Sequence, residues 1–181
     1  MTMYLGALSL GAAASIINSI STLTLNVYSL SANIKLSKNI YHDDVKDTLI
    51  KTDLEANIKL LQSVIMDIPQ YFNDNMSTII ALKNMQENIA EIESELKNIY
   101  DKMNYNDGIY LLKNIRSYDF NKEIKKLETH IQIMEKRKDN LFKTLELFKN
   151  CVKNNNPNEK LLMVAQIEKS IYNLEENITV M

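Results

Sequence analysis

Hydrophobic residues recur along this chain at alternating steps of three and four, the spacing that lays one stripe along a helix. The pattern is clearest where Leu82, Met85, Ile89, Ile92, Leu96, Ile99 and Met103 form a heptad seam, with Glu87, Glu91, Glu93, Glu95 and Lys97 between them. The spacing predicts a long helix with a solvated, acidic far side. Asn75 or Ser77 stands where a side-chain oxygen can accept a backbone N–H of the first turn.

A second seam runs through Phe120, Ile124, Leu127, Ile131, Met134, Leu141, Leu145, Phe148 and Val152, with Lys138 in the core slot that breaks the run. A helix of roughly 33 residues there would extend about 50 Å at ~1.5 Å per residue. Its flanks are basic. The segment Asn104 to Tyr118, with Gly108 and many Asn and Tyr residues, favours folding back between the two seams. From Tyr41 to Asp107 there are 13 acidic and 6 basic residues, and from Gly108 to Lys160 there are 7 acidic and 12 basic. These readings together predict an antiparallel coiled-coil hairpin over about 78–152, its pairing helped by unlike charges.

Two further helices fit the pattern. Asp43 or Asp44 can cap a helix carrying Ile50, Leu54, Ile58, Leu61, Ile65 and Ile68, which Pro69 ends because the residue before proline disfavours α geometry. Near the C-terminus, Asn156-Pro157-Asn158-Glu159 supplies a cap and a first-turn proline, and Val164, Ile167, Ile171, Leu174 and Ile178 continue as a short closing helix. The fold expected is all-α: a long-helix bundle with an antiparallel coiled-coil hairpin and an uncharged N-terminal helix. Residues 1–38 form that helix and 39–181 the bundle.

The N-terminal segment is unlike the rest. No charged side chain occurs from Met1 to Ile34. Leu5 to Ile17 is almost wholly apolar. From Asn18 onward Ser, Thr and Asn alternate with Ile20, Leu23, Val27, Leu30 and Ile34, again at steps of three and four. Ala7, Gly11, Ser15 and Ser19 fall four apart, a narrow stripe where another helix can approach closely. The residues expected to meet a partner or a membrane are Leu5, Ala7, Leu8, Gly11, Ser15, Ile16, Ser19, Ile20, Leu23 and Val27. A secretory signal needs a positive n-region, and no Lys or Arg precedes Lys35. A membrane span needs about 20 apolar residues, and Leu5 to Ile17 supplies 13 before Asn18 and the serines dilute it. The run Leu5-Gly6-Ala7-Leu8-Ser9-Leu10-Gly11-Ala12-Ala13-Ala14 ahead of heptad helices resembles the Gly/Ala-rich fusion peptides of class I viral fusion proteins; no function is carried over from this likeness.

Composition narrows the chemistry. With 3 Gly and 2 Pro the chain lacks the turn residues a many-stranded fold consumes. Cys151 is the single cysteine, so no intramolecular disulfide and no cysteine-rich zinc site can form. A net charge of -2 argues against a nucleic-acid-coating protein. His42 with Asp43 and Asp44 is the one place where a histidine adjoins carboxylates, yet neighbours on a helix point about 100° apart and an aspartate there serves better as a cap. His130 flanks the basic seam, and no glycine-rich phosphate loop is present. Lys136-Arg137-Lys138 is bracketed by Glu135 and Asp139 and reads as a solvated face.

The expectation is therefore a non-enzymatic structural or assembly protein, a helical spacer or clamp in a larger particle, without cofactor, metal, nucleic acid or small-molecule substrate. Its partners would be protein subunits, copies of itself or others. Abundant Asn, Lys and Ile point to an AT-rich genome, and a minor structural protein of a large DNA virus is one concrete form. The alternative is a membrane-active or membrane-anchored helical protein that inserts its N-terminal helix. A virion or a membrane is favoured over secretion as its location.

Overall fold

A computed structural model describes the backbone of residues 3–38, 42–68, 75–108 and 119–154, and the side chains among them from residue 13 to 150 apart from Phe148. The chain is all-helical there, with no strand among the described residues: α1 (Met3–Leu36), α2 (Asp43–Lys51), α3 (Leu54–Met66), α4 (Met76–Gly108) and α5 (Asn121–Asn154). The closing helix expected from Val164 to Ile178, and the seam positions Phe148 and Val152, lie outside the described side chains.

Local sequence sets the helix starts. Asn75 Oδ1 accepts the Thr78 N–H at 3.0 Å, so of the two residues expected to cap α4 it is Asn75, and Ser77 lies within the helix. Asp119 Oδ1 accepts the Asn121 N–H at 2.9 Å as α5 begins. The segment after Tyr41 departs from expectation in two ways. His42, not Asp43 or Asp44, holds the N-cap position of α2, and no side-chain cap bond forms; both aspartates sit in the first turn, where their charge favours the helix dipole. The predicted single helix is also broken at Asp53, which adopts the left-handed conformation (φ 46°, ψ 38°). Thr52 and Asp53 close α2 with bonds to the carbonyls of Thr48 and Ile50, and the Asp53 carbonyl receives the Asn57 N–H to open α3. The break shifts the register of the apolar stripe. Val45 and Leu49 turn inward and Ile50, expected on the core side, is 63% exposed.

The cross-links between helices give their directions. Gln86 Nε2 donates to Ser19 Oγ and Asn26 Nδ2 to Glu93 Oε1, both at 2.7 Å and both across 67 residues, so α1 and α4 run parallel. Against α3, Ser21 meets Met66 and both Ser31 and Lys35 meet Glu55, so that pair is antiparallel. Against α5, Lys102 meets Glu123, Glu95 meets Lys126, Asn88 meets the His130 carbonyl and the Asn84 carbonyl meets Arg137, again antiparallel. Lys138 Nζ donates to Asn57 Oδ1 at 2.8 Å and joins α5 to α3, which gives the lysine in the core slot a partner. Four rods, α1, the α2–α3 pair, α4 and α5, thus close around one core.

Every residue of the first seam, Leu82 to Met103, is buried. In the second, Phe120, Leu127, Ile131, Met134 and Leu141 are buried, while Ile124 and Leu145 are partly buried against the same cluster. Each fully buried Leu or Ile side chain stabilises the bundle by about 1.5–3 kcal/mol before chain entropy is counted. The ion pairs add little, since an exposed pair is worth about 0–1 kcal/mol. Glu95 with Lys126 and Glu91 with His130 carry the expected acid-to-base sense across α4 and α5, whereas Lys102 with Glu123 inverts it. Hydrogen bonding from Lys102 holds the Glu123 carboxyl below the ordinary carboxylate range despite partial burial.

The left-handed residue at the break yields a direct test. Glycine pays no steric penalty there and a β-branched residue pays a large one. Chemical denaturation is expected to find Asp53→Gly as stable as the parent or up to about 1 kcal/mol more stable, and Asp53→Val about 1–2 kcal/mol less stable. Equal losses in both variants would mean that the Asp53 side chain, and not its backbone, matters.

Candidate interaction surface

Helix α1 carries the residues expected to meet a partner, and the bundle sorts them by face. Ile20 and Val27 are buried, and Ile16 and Leu23 are partly buried against the core. Ser19 is bonded to Gln86 of α4. Ser15 is exposed. Leu5, Ala7, Leu8 and Gly11 lie within α1, but their side chains fall outside the described residues. Of the four-spaced stripe, therefore, the structure places Ser19 against a neighbouring helix and leaves Ser15 on the surface.

The inner row differs in detail from the spacing of large apolar residues. It reads Ala13, Ile20, Thr24, Val27, Ser31 and Ile34, all buried, while Leu23 and Leu30 are only partly buried. Two buried hydroxyls are tolerated because each finds an acceptor. Thr24 Oγ1 donates to the Ser21 carbonyl at 2.9 Å, and Ser31 Oγ donates to Glu55 Oε1 at 3.0 Å. Glu55 also pairs with Lys35 Nζ at 3.0 Å, so the single charge of α1 is drawn sideways to α3. Burial opposes ionisation of Glu55, but hydrogen bonds from Lys35 and Ser31 outweigh it and hold its carboxyl below the usual range.

The outer face of α1 is the consequence. Ser15, Asn18, Thr22, Leu25, Ser29, Asn33 and Leu36 are all exposed and none is charged. They follow one another at three- and four-residue steps over about 32 Å of helix at ~1.5 Å per residue. Thr22 Oγ1 is turned back to the Asn18 carbonyl at 3.1 Å, which lessens its demand for water. Leu25 and Leu36 are 57% and 77% exposed. The exposed face of α5, by contrast, carries Lys122, Lys125, Lys126, Glu135, Lys136, Asp139 and Lys143. The face can dock against protein without burying an unpaired charge.

Among the described residues, both histidines lie against neighbouring helices. Among the described residues no three His, Cys, Asp or Glu side chains are grouped to hold a metal ion. His130 Nδ1 lies 3.1 Å from Glu91 Oε2, the ring partly buried between α4 and α5. His42 is wholly buried where several helices end, with Nδ1 2.9 Å from Ser37 Oγ and its ring edge-on to Phe120. Its aspartate neighbours in sequence are exposed, so they do not converge with it on an ion. Asn88, not singled out by the spacing, is completely buried; its Nδ2 donates to the His130 carbonyl at 3.1 Å, while its Oδ1 meets no donor among the described residues. The signal for it was faint: Asn88 stands one residue before Ile89, where a helix buried on one side would tolerate a polar group.

Comparison with protein-family models, curated proteins and solved structures finds no match to this chain. Among the described residues no helix is long and apolar enough to cross a membrane.

The two faces of α1 should respond differently to substitution. Ile20→Ala is expected to lower unfolding free energy by about 2–5 kcal/mol through cavity formation. Asn18→Lys and Ser29→Lys, on the outer face, should each change it by no more than about 0.5 kcal/mol. Equal sensitivity of both faces in urea titrations would show that α1 does not pack in this orientation.

Proposed function

We propose that this protein is a non-enzymatic assembly component, a rigid helical spacer or clamp that docks to protein subunits through the outer face of α1. The supporting observation is the uncharged exposed row from Ser15 to Leu36 on a helix whose opposite side is fixed in the core. Desolvating charged side chains is one of the costs of joining two protein surfaces, and this row spares it. The α4–α5 pair, as an antiparallel coiled-coil hairpin, is the arm that gives the clamp its length. Such work needs surface and stiffness, and no catalytic group. One concrete form is a minor structural protein in the particle of a large DNA virus, a reading that draws on the Asn-, Lys- and Ile-rich composition.

Membrane contact by the same helix is the rival reading, resting on the same lack of charge. Photo-cross-linking separates the two. A photoreactive residue at Thr22 or Ser29 of the full chain, expressed in its native setting, is expected to couple to protein, either a second copy or another subunit. The same residue at Lys136 should couple far less. Adducts to lipid alone, or equal coupling at both places, would overturn the assembly reading.

A further inference from the structure

We propose that His42 is an acid-sensitive latch, whose protonation releases the end of the bundle where α1 finishes, α2 begins, α4 finishes and α5 starts, while the middle of the bundle stays packed. The geometry makes one imidazole the shared neighbour of all four segments. Ser37, just after α1, places its hydroxyl 2.9 Å from Nδ1. Asp107, in the last turn of α4, places Oδ1 3.7 Å from Nε2. Phe120, buried immediately before α5, meets the ring edge-on at 5.9 Å between centroids and 82° between planes. His42 itself opens α2 and has no exposed surface.

A neutral ring suits this enclosure, since it can donate from one nitrogen, accept at the other and pack its carbons on Phe120. An added proton places a charge in a closed space. Among the described residues the carboxylates facing it are Asp107, 41% exposed on its side chain, and Asp43 in its own helix. Among the described residues the cation acting on it is Lys46 of α2, and Lys102 of α4 lies over the neighbouring Phe120 ring, 5.6 Å from its centroid. Ser37 and Phe120 contribute no charge. Lys46 is paired with Asp43 at 2.9 Å, which leaves Asp107 as the stronger counter-charge. Its own 3.7 Å separation and exposure limit that compensation.

Burial is the largest influence and holds the His42 imidazolium below the ordinary value of 6.5; Asp107 pulls the other way, Lys46 adds to the lowering and Asp43 opposes it. The sign for stability follows. Because the folded value is depressed, the closed end binds fewer protons than the open end, so closure is fully favoured above the ordinary histidine value. It weakens as pH falls through that value toward the folded one, by about tenfold in the open-to-closed ratio per pH unit.

Hydrogen exchange on the full chain between about pH 7.5 and about pH 5.5, corrected for intrinsic rates, tests the latch. Amides at 33–36, in α2, at 103–108 and at 121–124 are expected to lose protection on acidification, and those at 85–92 to keep it. His42→Phe should remove the acid response and His130→Gln should leave it intact. A uniform loss along all helices, or an acid response that survives in His42→Phe, would overturn the proposal. Should His42→Phe fail to fold, an NMR titration of the native His42 ring decides: a midpoint below the ordinary histidine value that coincides with the local loss supports the latch, and one at or above that value overturns it.

Discussion

Helix α4 is covered along two flanks, and the position of the other rods follows from that constraint. Its seam from Leu82 to Met103 fills the centre of the bundle. On one side of the seam Gln86 and Glu93 reach α1; on the other Asn84, Asn88, Glu95 and Lys102 reach α5. A helix buried on two sides needs a wider apolar stripe than a two-stranded seam, and Ala81, Thr78 and Asn88 extend it. Asn88 is the polar member of that stripe, and its carboxamide oxygen meets no donor among the described residues. Its bond to the His130 carbonyl is made at one register of α4 against α5, the kind of polar contact that trades stability for a single alignment.

The same constraint explains α1. Lying parallel to α4 and antiparallel to α3, it must satisfy two neighbours with one inner side. Thr24 and Ser31 share the innermost row with Ala13, Ile20, Val27 and Ile34, and Leu23 and Leu30 turn to the flanks. Absence of charge thus has two meanings along one helix. On the inner side it is required by burial, as in any core helix. On the outer side nothing among the described residues requires it, and that surplus supports the docking reading.

Much of this was legible in the spacing of the residues. The two long seams, the Asn75 cap and the all-helical class are visible because heptad periods over many turns leave few alternatives. The break at Asp53 was not, because a stripe written Ile50, Leu54, Ile58 is itself a good helical pattern. Only the left-handed conformation of Asp53 shows that Leu49 and Leu54, five apart, both enter the core. Thr24 and Ser31 were hidden for a related reason: apolar periodicity reads large side chains and misses small ones whose hydroxyls find partners on the same helix or the next. His42 was noticed for its adjacent aspartates, but its neighbours in space, Ser37, Asp107 and Phe120, come from three other segments.

The central claim is that α1 is a structural member of the bundle with one face fixed and the other available. Native-state hydrogen exchange at neutral pH tests it most directly. The account predicts that amides from residue 16 to 34 are protected to a similar degree as those from 82 to 103, since both helices unfold only with the shared core. Rapid exchange throughout α1 beside a protected α4 would contradict it, and would return α1 to the status of an appendage that folds only against another molecule.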